Sequence, residues 1–175
     1  MLLLKGLARQ LFTEPMILTT KPRVSIVIPM YNREKFIADA IGSVRQQSFQ
    51  DWELIIVDDG GTDGSVQNCR NCFEAISNHC TLVSQVNAGA GAARATGISH
   101  CNGDFIAFLD SDDQWYPDHF ESCLAAMDAN PEIDWICSDM ERVVSSTNEV
   151  RQPSVFRNDG REQAFLSLNN PRRGN

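Results

Sequence analysis

The spacing of apolar and polar positions changes repeatedly between residues 22 and 141. Five short, mostly apolar segments predict buried strands, and they lie at residues 24–28, 52–57, 81–84, 105–109 and 133–137. Between these segments, apolar residues recur at the spacing of an amphipathic helix. This alternation predicts an α/β fold, in which a mostly parallel sheet carries helices on both of its faces.

The predicted helices have recognisable ends. Asn32 is placed to cap the first helix, whose apolar stripe includes Phe36 and Val44. The second helix is expected at 65–76, and the third is the alanine-rich stretch 90–99. Pro117 opens the fourth helix, because a proline in the first turn needs no N–H group. After residue 141 the pattern fades, and only a short helix at 162–168 is expected.

The chain divides into an extension at 1–21, a domain at 22–141 and a polar segment at 142–175. Residues 1–12 combine leucines with Lys5 and Arg9, which suits an amphipathic helix on a membrane surface or on another subunit; a frayed leader is the alternative. The sequence lacks the run of about 18 apolar residues that a transmembrane helix needs. We therefore expect a cytoplasmic protein, with peripheral contact at the inner face of the membrane or homo-oligomerisation left open.

The length and the net charge of the chain limit the classes of function that fit it. At 175 residues the chain has the size of one domain with a short extension. Its 15 basic and 23 acidic residues give a formal net charge of −8. Because binding to a phosphate backbone depends on lysine and arginine, this balance argues against a nucleic-acid partner. An acidic protein that meets an anionic ligand is instead suited to recruiting a divalent cation.

Six cysteines allow two interpretations, and three of them, Cys69, Cys72 and Cys80, are close in sequence. A zinc site would usually include a second pair about 12 to 20 residues further on, and none follows. Cys69 and Cys72 also fall on the apolar face of a predicted helix. Buried free thiols are therefore the favoured interpretation, with a metal or redox role as the alternative.

Polar residues follow each of the first four predicted strands. Asn32 comes after the first strand, Asp58 and Asp59 after the second, Asn87 after the third, and Asp110 and Asp112 after the fourth. In doubly wound sheets, ligands bind at the carboxyl ends of the strands. Aspartates gathered there would repel one another unless a cation relieves them, and their hard oxygen atoms favour Mg²⁺ or Mn²⁺.

A purely structural role is the alternative for each aspartate. Asp58 and Asp63 are placed to brace the loop before the second helix, and for these two residues we favour that interpretation. Asp110 and Asp112 are separated by one residue after a buried strand, which is a poor way to build a turn. A ligand-binding role is therefore the favoured interpretation for this second pair.

Four segments carry a resemblance to a known family. They are VSIVIPMYNR at 24–33, VDDGGTDGS at 57–65, NAG at 87–89 with ARATGI at 93–98, and GDFIAFLDSDD at 103–113. In this order and spacing they resemble the nucleotide-binding half of the inverting family-two glycosyltransferases. The resemblance covers about two-thirds of the chain and implies a GT-A-like, Rossmann-like fold.

The resemblance also implies roles for individual residues. Pro29 and Tyr31 would line the pocket for the nucleotide base, and Asp59 would accept a hydrogen bond from a uracil or thymine ring. Arg94 would lie near the diphosphate or brace the aspartates. Asp110 would contact the ribose.

The remaining two positions lie in the same aspartate segment. Ser111 would belong to the nucleotide-sugar site, and Asp112 would coordinate Mn²⁺ or Mg²⁺ between the two phosphates. That cation would offset charge on the departing nucleoside diphosphate.

The expected reaction is transfer of a sugar from a UDP-sugar or dTDP-sugar to a hydroxyl of a glycan or lipid-linked acceptor, with inversion. In the family the general base lies downstream, in the acceptor-binding half, and no carboxylate pair with motif support precedes Asn175. Asp134, Asp139 and Glu141 are poor candidates in their predicted strand context. We therefore leave the catalytic residue unassigned, treat 142–175 as a partial acceptor-side segment or a tail, and expect these 175 residues alone to transfer sugar poorly or not at all.

Other functions remain as alternatives. A non-catalytic module that holds a nucleotide-sugar is the main one. A phosphatase that uses Asp110 and Asp112 fits badly, because its aspartates should follow the first strand. A dinucleotide enzyme is disfavoured because Gly89 and Gly91 lack a third glycine at the required spacing.

Overall fold

The computed structural model describes residues 21–138, 140, 142–144 and 149–152. Its main sheet contains four parallel strands: β1 (Val24–Met30), β2 (Trp52–Asp58), β3 (Cys80–Ser84) and β4 (Phe105–Phe108). Their order across the sheet is β3-β2-β1-β4. The helices are α1 (Ile37–Arg45), α2 (Ser65–Phe73), α3 (Ala90–Ile98) and α4 (His119–Ala129). A separate antiparallel pair contains β5 (Arg142–Val144) and β6 (Glu149–Gln152).

Both faces of the sheet are covered, as the alternating pattern predicts. On one face, alternate residues of β1 and β2 form the larger core with α1, α2 and α4; among these residues are Ile26, Ile28, Leu54 and Ile56. On the other face, Ile55 and Val57 pack against Ala93 of α3. The α/β architecture with a parallel sheet and helices on both faces is therefore confirmed.

A glycine sets the distance between α3 and the sheet. A Cβ atom added to Gly97 would lie 2.3 Å from Val27 Cγ1, far inside van der Waals contact. Only the missing side chain lets α3 approach β1 this closely. This packing holds the end of α3 close to β1.

Two sequence-based predictions of local structure before residue 141 are wrong, and after it the pair β5 and β6 lies where no strand was expected. Asn32 is not a helix cap: α1 begins at Ile37 after a cap at Phe36, and Asn32 has a φ of 51°. Its side-chain oxygen instead accepts a hydrogen bond from the Thr62 amide at 2.8 Å. Asparagine tolerates this left-handed conformation, so the residue links two loops.

The fifth predicted strand, at 133–137, is not a strand. After α4 the chain turns, with the Ile133 amide donating to the Asn130 carbonyl at 3.1 Å. Trp135 is then 69% exposed, so the apolar residues of this segment do not enter the sheet. The predicted helices at 1–12 and 162–168 lie outside the described residues.

The cysteines in the described residues are all free, and Cys69 is buried in the core. Its sulfur lies 3.5 Å from Met30 Sδ, and burial raises the pKa of its thiol to about 12. Burial also raises the pKa of Cys72 and takes that of Cys80 to about 11. These three residues are neutral thiols at physiological pH, and Cys69 contributes to packing.

Candidate functional site

The loops that follow the four parallel strands meet at one edge of the sheet. In parallel strands the carboxyl ends point the same way, so β1, β2, β3 and β4 deliver their following residues to a common surface. The predicted site residues other than Pro29 all lie in these loops or in the first turns of α3. The fold therefore brings the sequence-predicted residues to one side of the domain.

Hydrogen bonds lock the loops after β1 and β2 together. The Arg33 amide donates to Ser65 Oγ at 2.7 Å, and the Glu34 amide donates to Asp63 Oδ2 at 3.0 Å. With the bond between Asn32 and Thr62 and that from the Gly64 amide to Glu34 Oε2, four hydrogen bonds join the two loops. This edge of the sheet is consequently a pre-formed surface.

The bracing role predicted for Asp58 and Asp63 is confirmed. Asp58 Oδ1 accepts the Gly61 amide at 3.0 Å. Asp63 accepts the Ser65 amide at 3.0 Å and also the Ser65 hydroxyl. The Ser65 hydroxyl is the main reason why the pKa of Asp63 lies below its usual value. Asp58 therefore braces its own loop, and Asp63 braces that loop and also holds the loop after β1 through the Glu34 amide.

Asp59 ties the loop after β2 to the loop after β3. Its Oδ1 accepts hydrogen bonds from Gln85 Nε2 at 2.8 Å and from the Ala88 amide at 2.9 Å, and its Oδ2 accepts the Gly89 amide at 2.8 Å. The Ala88 bond is the largest cause of a lowered pKa for Asp59; Gln85 and Gly89 add to it, and burial opposes it. The carboxylate is thus ionised and retains about one free acceptor position, on Oδ2.

The loop that Asp59 contacts contains a glycine in an unusual backbone conformation. Gly89 has a φ of 89°, a conformation that other residues rarely adopt. It precedes α3 directly, so Asp59 holds the entry to that helix. The hydrogen-bonding role of Gln85 was not predicted from the sequence, although Gln85 directly follows β3, just as Asp59 follows β2.

Tyr31 and Pro29 differ in accessibility. Tyr31 is the first residue after β1, and 47% of it is exposed. Pro29 is buried within β1, opposite Val57 of β2. Of these two candidates for a base pocket, Tyr31 presents a surface that a ligand can reach directly, and Pro29 supports the backbone beneath it.

The aspartate segment after β4 is paired with two arginines. Arg94 of α3 forms a hydrogen-bonded ion pair with Asp110, so of its two predicted roles the structure displays the bracing of an aspartate. Arg33 Nε lies 3.5 Å from Asp112 Oδ2. Arg33 was not singled out as a candidate from the sequence, although it lies within the first matching motif and at the same edge of the sheet.

Negative charge is concentrated in this segment despite the arginines. Burial, and then the charges of Asp110 and Asp112, raise the pKa of Asp113. Ser111 is buried between the two aspartates. The side chains of Asp110 and Asp112 are about half exposed and can offer oxygen ligands to the outside.

These oxygens suit a hard divalent cation. Among the described residues, no cluster of three or more His, Cys, Asp or Glu side chains forms a closed metal cage. Mg²⁺ commonly needs no such cage, because one or two carboxylates and substrate phosphates complete its coordination together with water. The donor set at Asp110 and Asp112 therefore fits a cation that is held jointly with a phosphate ligand.

The weaker carboxylate candidates are not part of this site as described. Asp134 is exposed in the segment after α4 that carries no strand. Asp139 and Glu141 lie outside the residues whose side chains are described.

Among the described residues, no helix has both the length and the apolar character of a transmembrane segment.

The loops together form a closed ring of contacts. The β1 loop contacts the β2 loop through Asn32, and the β2 loop contacts the β3 loop through Asp59. Helix α3 contacts the β4 loop through Arg94, and the β4 loop returns to the β1 loop through Arg33. These contacts form a rim that carries an exposed aromatic ring and exposed acidic and basic groups.

Comparison with curated proteins finds glycosyltransferases. TuaG of Bacillus subtilis (strain 168), named as a glycosyltransferase of teichuronic acid biosynthesis, is 41% identical over 108 residues, which are 61% of this chain and 42% of TuaG. The glycosyltransferase GlyA of Streptococcus pneumoniae serotype 4 is 32% identical over 100 residues, which are 57% of this chain and 14% of GlyA. The chain therefore spans less than half the length of these relatives.

Solved structures show the same fold. Staphylococcus aureus TarS 1-349 in complex with UDP-GlcNAc aligns with a TM-score of 0.64 and 26% identity, over 70% of this chain and 35% of that one. The mannosyltransferase PcManGT from Pyrobaculum calidifontis, in complex with GDP-Man and Mn²⁺, aligns with a TM-score of 0.61 and 24% identity, over 71% and 37%. These likenesses confirm the GT-A-like fold that the motifs imply.

The family model described as glycosyl transferase family 2 matches residues 25–172. This range includes all four motif segments except the first residue, Val24, and extends beyond residue 141, where the hydrophobic pattern fades. The chain belongs to glycosyl transferase family 2.

Proposed function

We propose that the ring of loops at the carboxyl edge of the sheet binds the nucleoside diphosphate of a UDP-sugar or dTDP-sugar. The protein would transfer that sugar to a hydroxyl of a glycan or lipid-linked acceptor, with inversion. The observation that carries the proposal is the set of contacts through Asn32, Asp59, Arg94 and Arg33, which joins all four loops into one rim. TarS, whose structures contain UDP and UDP-GlcNAc, supports a uridine nucleotide as the ligand.

The base would lie against Tyr31. An exposed aromatic ring at a rigid edge offers a flat apolar surface on which a pyrimidine can stack. The free acceptor position on Asp59 Oδ2 is suited to the ring N–H of uracil or thymine. Because Asp59 is only 3% exposed, that contact would require the base to reach deep into the rim.

The diphosphate would lie toward the aspartates and arginines. Asp112, with Asp110 beside it, would hold Mn²⁺ or Mg²⁺. When bound, that cation supplies positive charge that offsets the charge developing on the leaving nucleoside diphosphate. Arg94 keeps Asp110 in place, so the ribose contact expected of Asp110 would come from an oriented carboxylate.

Binding measurements test the proposal directly. Calorimetry with the complete chain in excess Mn²⁺ should give tighter binding of UDP and dTDP than of GDP. Tyr31→Ala should weaken UDP binding about tenfold, the size of one lost base–aromatic stacking contact. Tyr31→Phe keeps the ring and is the matched control, so it should bind UDP as the wild type does.

Two results would count against the proposal. Equal affinity for UDP and GDP would remove the pyrimidine assignment, and unchanged binding by Tyr31→Ala would place the base elsewhere. A labelled-donor assay over a panel of acceptors then separates an enzyme from a module that only holds the nucleotide-sugar, because only the enzyme moves label to an acceptor.

A further inference from the structure

Arg33 is hydrogen-bonded to the backbone of its own loop and lies beside Asp112. Its Nη1 atom donates to the backbone oxygens of Tyr31 and Asn32, at 3.3 Å in each case. Its Nε atom lies 3.5 Å from Asp112 Oδ2, is enclosed by protein, and has no hydrogen-bond partner among the described residues. The guanidinium is thus anchored to the β1 loop and attracts Asp112 mainly through its charge.

The two arginines of the rim differ in how firmly they hold their aspartates. Arg94 makes a direct hydrogen bond to Asp110. Arg33 makes only the longer contact to Asp112 and leaves Nε unsatisfied. An unpaired enclosed donor costs free energy, so the Arg33–Asp112 pair is the one that another ligand can separate more easily.

We propose that Arg33 is a counter-cation built into the β1 loop, which competes with the divalent cation for Asp112 and makes cation and nucleoside diphosphate bind cooperatively. This inference rests on the proposed function, because it assumes that Asp112 holds a cation next to a diphosphate. Arg33 is in this sense a positioning residue for the proposed reaction.

The argument follows from charge. An arginine stays protonated at any accessible pH, so Asp112 has a positive neighbour before any metal ion arrives. A divalent cation on Asp112 would be repelled by that neighbour at close range. A diphosphate relieves the repulsion, because the guanidinium donors can turn from the carboxylate to phosphate oxygens.

The consequence is a coupling between two ligands. Without nucleotide, Arg33 weakens the binding of the cation; with nucleotide, the displaced guanidinium contributes a favourable contact. Each ligand therefore raises the affinity for the other by the same factor. This coupling would favour binding of the cation together with the nucleotide. Between turnovers, the guanidinium of Arg33 would neutralise the charge of Asp112.

The first test uses Mn²⁺ alone, with free Mn²⁺ measured by electron paramagnetic resonance at low salt. Arg33→Gln removes the competing charge and should tighten Mn²⁺ binding about two- to fivefold, the usual size of a partly exposed ion pair. Arg33→Lys retains the charge and should stay close to the wild type. Thermal melts of both variants establish that they are folded.

A matched control is available at the other end of β1. Arg23 precedes β1, at the opposite edge of the sheet, and its side chain is 35% exposed against 39% for Arg33. It also pairs with an aspartate, Asp128, at 2.5 Å. Arg23→Gln should leave Mn²⁺ binding unchanged, which separates a local effect from a change in net charge.

The second test measures UDP affinity with and without Mn²⁺. The ratio of the two affinities is the coupling factor, and Arg33→Gln should lower it at least twofold. Mn²⁺ binding by Arg33→Gln that is equal to or weaker than that of the wild type would overturn the inference, as would an unchanged coupling factor.

Different results would show that the proposed function itself is wrong. If wild-type Mn²⁺ binding is insensitive to Asp112→Ala, the cation does not bind at Asp112, and both the function as proposed and the role of Arg33 fall. If Asp112→Ala abolishes Mn²⁺ binding while Arg33→Gln changes nothing, only the role of Arg33 is wrong.

Discussion

Asp59 Oδ2 accepts the backbone N–H of Gly89 at 2.8 Å, across two loops that are 30 residues apart in the sequence. Gly89 has a φ of 89° and begins the approach to α3. The carboxylate therefore contacts the backbone at the residue that leads into α3. A residue proposed to contact the base has, in the structure, a positioning task as well.

We expect Asp59→Asn to weaken nucleotide binding by about tenfold or more. An amide group presents two donors where Asp59 accepts three hydrogen bonds, so at least one backbone N–H of Ala88 or Gly89 loses its partner. Calorimetry with UDP and Mn²⁺ checks the affinity, and amide exchange at Ala88 and Gly89 checks the loop. Asp104→Asn, an exposed position paired with Lys21, is the control; binding by Asp59→Asn at the level of this control would contradict the prediction.

Gly97→Ala should lower the free energy of unfolding by about 1–3 kcal/mol, the usual cost of overpacking. The new Cβ would lie 2.3 Å from Val27 Cγ1, so α3 or β1 must shift. Gly91→Ala is a matched control in the same helix, because nothing lies within 4 Å of its added Cβ. Denaturant unfolding should show that Gly91→Ala is neutral or stabilising.

A double variant adds a sharper check of this packing. Val27→Ala removes the methyl groups that the new Cβ would meet, so the cost of Gly97→Ala should shrink in the Val27→Ala background. If the cost of Gly97→Ala is the same in both backgrounds, contact with Val27 is not its cause.

Glu53 should make the fold sensitive to acid. Burial on its own would raise the pKa of Glu53, but hydrogen bonds from Ser25 Oγ at 2.6 Å and from the Asn102 amide at 2.6 Å outweigh it and leave the pKa below 4.5. A depressed pKa gives stability that is present above the unfolded value and is lost as the pH falls through the folded value. We expect stability to fall below about pH 4.5.

Unfolding curves measured from pH 6 to pH 3 test this expectation. Glu53→Gln should be less stable than the wild type at pH 6 and should lose less stability as the pH falls, so the two curves converge toward pH 3. Glu132→Gln, at an exposed position after α4, should keep the wild-type pH dependence. Parallel curves for the wild type and Glu53→Gln would show that another group controls acid unfolding.

The two central strands of the sheet could be predicted because they are buried on both faces. β1 and β2 are buried at every position, so their sequences are mostly apolar, with Ser25 and Glu53 hydrogen-bonded to each other. The segment at 133–137 has similar residues but is not a strand, because its apolar character does not specify a partner strand. Composition alone cannot distinguish a strand from a partly exposed connection such as the one that holds Trp135.

The candidate site was predictable to the level of its loops, since polar residues after parallel strands converge on one edge. The sequence could not show which residues at that edge contact one another. The local sequence at Asn32 resembles a helix cap, yet its side-chain oxygen accepts a hydrogen bond from Thr62, 30 residues away. Arg33 and Gln85 likewise act through contacts between distant segments, which local spacing does not encode.

The last prediction concerns the cation. Asp110 and Asp112 follow β4 at the edge where a diphosphate would lie, and their charges add to burial in raising the pKa of Asp113. A diphosphate brought near these carboxylates would be repelled unless positive charge intervenes. We therefore expect UDP to bind weakly in excess EDTA and at least about tenfold more tightly in Mn²⁺ or Mg²⁺. Asp112→Ala should remove most of that difference, because it deletes both a ligand for the cation and a charge that repels the phosphate. Its affinity for UDP without metal should accordingly match or exceed that of the wild type, whereas Asp128→Ala, at an exposed position in α4, should keep the full metal dependence. Equal UDP affinity of the wild type with and without metal would exclude a cation at Asp112.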